Sequence, residues 1–364
     1  MPAVLSITER MREMKMARIS EKPIQVTAAL RRRGSVLMTA LAALFVAVTF
    51  APAQTPDTRW YAARPKAKSY AISTADELAG LAAIVNGTAS GVARDNFAGK
   101  TVKLAGGIDI SIYDNWTPIG RWDPAANTSV PFSGTFDGGG HVISGLTINR
   151  PDAQDQGLFG YVERGQVKNL GLEGVNISAR TAAGAVAGIV WLKSGVTNCY
   201  TTGVVTAAVS HAGGIAGTLV DSSYITRSYS AAEVRSGDHA GGIAGRIGGN
   251  SSITYCAALN PVVAATDSDP MAGRIAGSIA DSRLGPVTLA NNAAYDGMKD
   301  DDGSAAWPKK GADKQNGADI TAAEIAADGS IGGRFKGGKS GWTSVRGKLP
   351  GLGGRTVETP GHLR

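Results

Sequence analysis

Gly213-Gly214-Ile215-Ala216-Gly217 is followed by Gly241-Gly242-Ile243-Ala244-Gly245. The same pattern stands on either side as Gly157-Leu158-Phe159-Gly160, Gly184-Ala185-Val186-Ala187-Gly188 and Gly273-Arg274-Ile275-Ala276-Gly277. The closing glycines, Gly160, Gly188, Gly217, Gly245 and Gly277, fall 28, 29, 28 and 32 residues apart. Eight residues past the middle three stands a β-branched residue (Val196, Ile225, Ile253), and seventeen past them a valine (Val205, Val234, Val262). A unit of this length buries its apolar face only against the next copy. Small and β-branched residues dominate, no heptad is sustained, and paired helices are therefore excluded. The pattern predicts an all-β chain, a parallel β-solenoid with coils about 4.8 Å apart, in which equal offsets become vertical columns.

Composition agrees with this reading. Forty-nine glycines and a 6% aromatic share suit narrow turns, and a 43% hydrophobic share over 364 residues is enough for a core. Ahead of the repeats, Arg31-Arg32-Arg33 precedes an apolar run from Val36 to Phe50 that ends in Ala51-Pro52-Ala53. This reads as a signal peptide over residues 1–53, cleaved between Ala53 and Gln54; the run is shorter than the roughly 20 residues of a bilayer span. No membrane span is expected in the mature chain. Removing residues 1–53 leaves 29 Lys/Arg against 27 Asp/Glu, so the whole-chain charge of +7 belongs largely to the signal. The repeat region has no basic stripe, and nucleic acid is not expected as a partner.

Further boundaries follow from local signals. Residues 54–69 read as a linker and 70–98 as an N-terminal capping region. Thr74-Ala75-Asp76-Glu77 has capping-box spacing and opens an amphipathic helix over Ser73 to Val85. Such a helix would cover the open end of the first coil. Residues 99–297 read as the β-helix, with the glycine units over about 157–297; Gly138-Gly139-Gly140 is the sharpest break before them. Residues 298–364 read as a C-terminal cap and tail, with a helix near Thr321 to Ala327, a segment closing the far end, and frayed final residues.

The columns give the reactive side chains a placement. Cys199 and Cys256 each lie eleven residues past an anchor glycine, on one column two coils apart. About 9–10 Å separates such positions, beyond the roughly 7 Å Cα limit of a disulfide, so both are expected as free buried thiols with Ser228 between them. His211 and His239 precede their closing glycines by six residues and should stack about 5 Å apart. They are the chain's candidate metal ligands, but Ala182 and Met271 hold the equivalent positions and no third ligand repeats with them. Asp221 and Asp281 share an offset two coils apart, which suits solvated turns better than a catalytic carboxylate pair. Asp267-Ser268-Asp269 reads as an insertion loop. Asn169, Asn198 and Asn291 hint at a polar turn column that Arg227 and Tyr255 interrupt. Trp116, Trp122 and Trp191 are the aromatics to examine for recognition.

The glycine units, with Thr117-Pro118-Ile119-Gly120 and Phe132-Ser133-Gly134-Thr135-Phe136-Asp137-Gly138-Gly139-Gly140-His141-Val142-Ile143 upstream, resemble the GLUG-motif repeats of bacterial extracellular proteins. The resemblance runs over about Ile72 to Asp296. It implies a right-handed parallel β-helix on a secreted or surface protein, adhesin-like or forming the non-catalytic part of some immunoglobulin-cleaving peptidases, and it implies no reaction. The chain has four histidines and no H-E-x-x-H, which argues against a zinc peptidase. The expectation is a non-catalytic exported solenoid, with no cofactor, that binds an extracellular glycan or protein. A carbohydrate-active β-helix enzyme and a structural spacer are the alternatives. Nothing in the chain fixes its oligomeric state.

Overall fold

The computed structural model describes residues 55–123, 126–267, 271–280, 285–338 and 341–364. The signal segment, with Ala53 and Gln54, lies outside them, as do Ser268, Asp269 and Asp281.

The chain is a parallel β-helix of about eight turns. One wall of each coil stacks Phe159–Glu163, Ala187–Trp191, Ala216–Val220, Ala244–Ile247 and Ala276–Ile279 in parallel. The other walls belong to one long sheet, in which Val167, Val196, Ile225, Ile253 and Leu289 lie one above another. All five are buried, so the β-branched column is the core. Its neighbour runs Ile177, Val205, Val234 and then Val263 rather than Val262. The insertion of Leu259-Asn260-Pro261 adds a residue to that coil, and buried Asn260 secures it by donating to Ala232 O at 2.6 Å.

The anchor glycines do not turn the chain: none of Gly160, Gly188, Gly217, Gly245 or Gly277 has a positive φ. They lie instead under the preceding coil's corner. A Cβ on Gly188 would stand 2.5 Å from the Asp155 carbonyl carbon, one on Gly217 2.5 Å from that of Ala182, and one on Gly245 2.6 Å from that of His211. The corner itself is turned by Asp155, Ala182 and His211, at φ 59°, 52° and 67°. A second column of left-handed residues comprises Asn169, Asn198, Arg227, Tyr255 and Asn291, at φ between 48° and 57°. The asparagine hint therefore marks a turn, because Asn tolerates this conformation better than other non-glycine residues. Arg227 and Tyr255 turn there too, with the guanidinium 5.9 Å from the ring centre.

The N-terminal end is closed by helix α1 (Arg59–Ala62) and helix α2 (Ala75–Asn86). Thr74 caps α2 in a capping box with Glu77, and Leu78, Leu81, Ile84 and Val85 seal the first coils. Residues 54–69 are thus not a plain linker. Trp60 and Tyr61 pack on Tyr70 and Phe97 with ring centres 5.2 to 6.1 Å apart.

The C-terminal part also departs from expectation. The parallel ladder continues past residue 297 to Ala318–Ile320, and Arg274, standing where the two preceding units have Gly214 and Gly242, is fully buried there. Its guanidinium donates to the carbonyls of Asn316, Tyr295 and Gly317. Helix α3 (Ala322–Asp328) follows, capped by Thr321 and Glu324. The remaining chain does not close the far end; it lies back along the flank of the solenoid. Trp342, Phe335, Leu349 and Leu352 form a second core with Val142, Tyr200, Tyr229 and Ala293. Nor are the final residues frayed, since Leu363 is buried and His362 O accepts from Tyr295. The tyrosine column supplies an apolar outer surface that water would otherwise wet.

Replacing Gly217 by Ala is expected to cost about 1–3 kcal/mol through forced backbone displacement. Gly106→Ala, where a Cβ meets nothing within 4 Å, is expected to stay within about 0.5 kcal/mol of wild type. Urea-denaturation midpoints of the two variants compare them directly.

Candidate functional site

With one flank covered by the tail, attention falls on the corner where the repeat is least regular. Between Ala179 and Thr181 the regular coil has one residue, whereas the coil below has Pro151, Asp152 and Ala153 between Arg150 and Gln154. This two-residue bulge opens a cavity of about 390 Å³. Its walls are Arg150, Asp152, Ala153, Gln154, Asp155 and Gln156 on one side, and Thr117, Pro118, Arg121, Trp122 and Asn86 on the other. A smaller cavity of about 140 Å³, lined by Tyr113, Asn115 and Trp116 among others, adjoins it through Asn86 and Thr117.

The framework is held by hydrogen bonds that consume its own polar groups. Asn86, at the C-terminal turn of α2, donates to Pro118 O at 2.9 Å and accepts from Gly120 N at 3.0 Å. The Arg150 guanidinium is fixed by Asn115 Oδ1 at 3.2 Å, Asn115 O at 3.3 Å and Thr117 Oγ1 at 3.1 Å. Burial lowers its pKa, and no carboxylate of the described residues pairs with it. Arg121, by contrast, is exposed and paired with Asp123 at 2.9 Å.

Two polar groups in the cavity wall lack partners. Gln156 donates through Nε2 to Gln154 O, but its Oε1 is buried without a hydrogen bond. Asp155 is 6% exposed, and among the described residues nothing hydrogen-bonds its carboxyl. Burial alone pushes its pKa up to about 7, so the carboxyl is shared between protonated and ionised forms near neutrality. Buried polar groups are normally satisfied. The orphaned Gln156 Oε1, beside the unpartnered Asp155 carboxyl, marks a place that a ligand could complete.

Aromatic rings extend the site along the adjoining wall. Trp122 is half-buried, 6.5 Å from Tyr161, which lies 5.9 Å from Trp191 on the next coil. The indole N–H of Trp191 donates to Asp221, itself a turn residue at φ 57°. Trp116 is a packing residue: it is 1% exposed and its Nε1 donates to Leu158 O.

The other candidates fall elsewhere. His211 and His239 stack with ring centres 4.9 Å apart on the corner column that also carries Asp155 and Ala182. Burial, then the charges of His239 and Arg246, push the His211 pKa down to about 4. His239 Nδ1 lies 2.8 Å from Asp238 but off the line of a hydrogen bond. No group of three His, Cys, Asp or Glu among the described residues could hold a metal ion. Cys199 and Cys256 are free and buried, and between them Ser228 accepts from Cys199 N at 3.0 Å and donates to Thr226 O at 3.0 Å. Burial pushes both thiols up to about 12.

Asp155, Arg150 and Gln156 were not singled out from sequence. Counted from the opening glycines, Asp155 precedes Gly157 by two residues, as His211 precedes Gly213. The first unit is one residue shorter than the others, so counting from closing glycines hides the match.

No family model matches the chain. It is 35% identical over 162 residues to "Halomucin" of Haloquadratum walsbyi, covering 43% of this chain and 2% of that protein. It is also 35% identical over 100 residues to a "Putative Gly-rich membrane protein" of Evansella cellulosilytica, covering 27% of this chain and 11% of that one. The chain thus spans a small part of the curated relatives it matches. Among solved structures it is similar to a "putative immunoglobulin A1 protease from Bacteroides ovatus", with TM-score 0.51 and 23% identity over 71% of this chain and 86% of that one. That likeness shows the β-helix fold. No helix among the described residues is long and apolar enough to cross a membrane.

Two outcomes follow from these environments. Raised from 3.8 to about 7, the Asp155 pKa gives stability that is full below pH 4 and lost as pH rises through 7. His211, depressed from 6.5 to about 4, acts oppositely: its contribution is full above pH 6.5 and lost as pH falls to 4. The histidines act alike in both proteins, so the stability of wild type relative to Asp155→Asn should fall as pH rises from about 5 to 8; thermal melts of the two proteins at both values measure this. Cys199 and Cys256 should react with a thiol reagent only on unfolding, and non-reduced peptide mapping should find no bond joining them.

Proposed function

We propose that the chain is an exported, surface-associated β-solenoid with GLUG-like repeats, and that it acts as an adhesin-like module binding a saccharide in the corner pocket without converting it. The signal-like segment before Gln54 and the likeness to a halomucin and to a Gly-rich membrane protein support the location. The observation that carries the binding reading is the pairing of Trp122 with Asp155 and Gln156. A half-buried indole offers an apolar face for the C–H side of a sugar ring. The buried, unpartnered Gln156 Oε1, the Asp155 carboxyl and an ordered guanidinium offer hydrogen bonds to its hydroxyls. The cavity falls within the size of small-ligand sites, about 300–1,000 Å³, and polar side chains outnumber apolar ones on its wall, which suits a ligand rich in hydroxyls.

Asp155 also favours a second reading, a carbohydrate-active enzyme in which a carboxyl protonated near neutrality serves as general acid. Hydrolysis would need a second carboxylate across the bond. The cavity's other acid, Asp152, is exposed on the bulge.

A saccharide array followed by calorimetry is expected to find a ligand whose affinity falls about 10-fold or more in Trp122→Ala, the loss of one stacked ring at roughly 1.4 kcal/mol. Trp191→Ala, one coil away, should change it less. The mature protein incubated with each bound saccharide should release no reducing ends. Release that disappears in Asp155→Asn would replace the binding reading by the enzymatic one, and an array without hits would remove both.

A further inference from the structure

Arg150 has five guanidinium N–H donors, of which three are already committed. Nε donates to Asn115 Oδ1, and the two Nη2 hydrogens go to Asn115 O and Thr117 Oγ1. The remaining nitrogen, Nη1, holds two donors that no described residue accepts. Its charge is also unanswered: no acid of the described residues comes within ion-pair distance, although the group is half-buried and burial already disfavours its charged form. The fully buried Arg274, by contrast, is answered by three carbonyls and by Asp319 at 2.8 Å. Arg246 and Arg334 are half-buried and make no ion pair among the described residues, but neither lines this cavity.

A cation taken partly out of water without a counter-charge is stabilised when an anion meets it, less than a fully buried one because solvent screens it. Here the geometry leaves one nitrogen free and pins the rest, so the donor direction is set before any ligand arrives. Asp155 does not supply the charge: it makes no ion pair with Arg150, and the burial that raises its carboxyl is not offset by any attraction to that guanidinium. Asp152 is exposed on the bulge, where solvent screens it. The wall opposite, at Trp122, is apolar and flat. Next to Asp155, Gln156 Oε1 needs a hydroxyl or amide donor.

Resting on the reading of this cavity as a saccharide site, we infer that it selects a sugar bearing a carboxylate, such as a uronic acid or a nonulosonic acid. The carboxylate takes the free Nη1 of Arg150, ring hydroxyls donate to Gln156 Oε1 and exchange hydrogen bonds with Asp155, and the ring lies on Trp122. A carboxylate, rather than a sulfate ester, is favoured because the cavity's other guanidinium, Arg121, is exposed and paired with Asp123, which leaves one unpaired cationic nitrogen with two donors; a sulfate would leave most of its oxygens unbonded.

The test is a set of matched pairs titrated into the mature wild-type protein: glucuronate and galacturonate oligosaccharides against their glucose and galactose counterparts, an N-acetylneuraminate glycan against its desialylated form, and a sulfated counterpart of each neutral sugar. At least one carboxylated member is expected to bind about 10-fold or more tighter than its neutral partner, with the preference shrinking as salt is raised. Arg150→Gln should abolish that preference while leaving the neutral partner's weak affinity in place. If Arg150→Gln also loses its native melt, Arg150→Lys, which keeps the charge but not the fork, should retain part of the preference. Neutral members binding as tightly as carboxylated ones would overturn the inference and leave the saccharide reading standing. Sulfated members binding tightest would overturn the choice of anion. No member binding at millimolar concentration would overturn both.

Discussion

Everything in this solenoid depends on the contact of one backbone with another at the corner of each coil. Where Gly188, Gly217 and Gly245 pass beneath the left-handed residue of the preceding coil, there is no room for a single methyl group. That contact sets the vertical distance between coils, and the hydrogen-bonded ladders on the other walls follow it. It also divides two tasks that glycine often combines. The glycine supplies closeness, while the residue above it, Asp155, Ala182 or His211, supplies the turn at positive φ. Because the turning residue need not be glycine, the corner column is free to carry side chains, and it is the column on which the acid and the stacked histidines stand.

Most of the architecture was legible because it follows from equal spacing. The glycine interval gave the stacking, and with it the columns of Val196, Ile225 and Ile253, of Cys199 and Cys256, and of His211 and His239. Spacing failed wherever the chain inserts or drops a residue. One extra residue near Asn260 moved the valine column to Val263, and one missing residue before Gly160 concealed Asp155. The tail was illegible for a different reason. Trp342, Leu349 and Leu352 have no period of their own, and their burial depends on a tyrosine column presented by coils more than a hundred residues earlier. The pocket was only partly legible: Trp122 stood out by type, but the unpartnered state of Gln156 and Arg150 exists only in three dimensions.

The pocket illustrates how a repetitive fold acquires an individual site. A regular coil satisfies its polar groups through its neighbours, so a buried carboxyl without partners is a defect by the logic of the repeat. Here the defect coincides with the bulge at Pro151–Ala153, with a pinned guanidinium and with a half-buried indole. Asp155 holds a conformation costly for a non-glycine residue and a carboxyl costly to ionise. Local stability is given up at one corner of an otherwise uniform stack.

The strap formed by the last forty residues changes how the molecule bears load. A bare solenoid is a one-dimensional pile in which each coil holds only its neighbours, so a pull on either terminus peels coils away one at a time. In this chain the Tyr229 hydroxyl is tied to Pro350 O, the backbone at Gly353 presses on Gly140, and His362 is bonded to Leu259 O. Force entering at the C-terminus is therefore shared among coils from Gly140 to Leu259 at once, in shear along the flank, before the final coil can unwind. The strap acts as a longitudinal brace, and tension is spread through the middle of the stack instead of concentrating at its last turn.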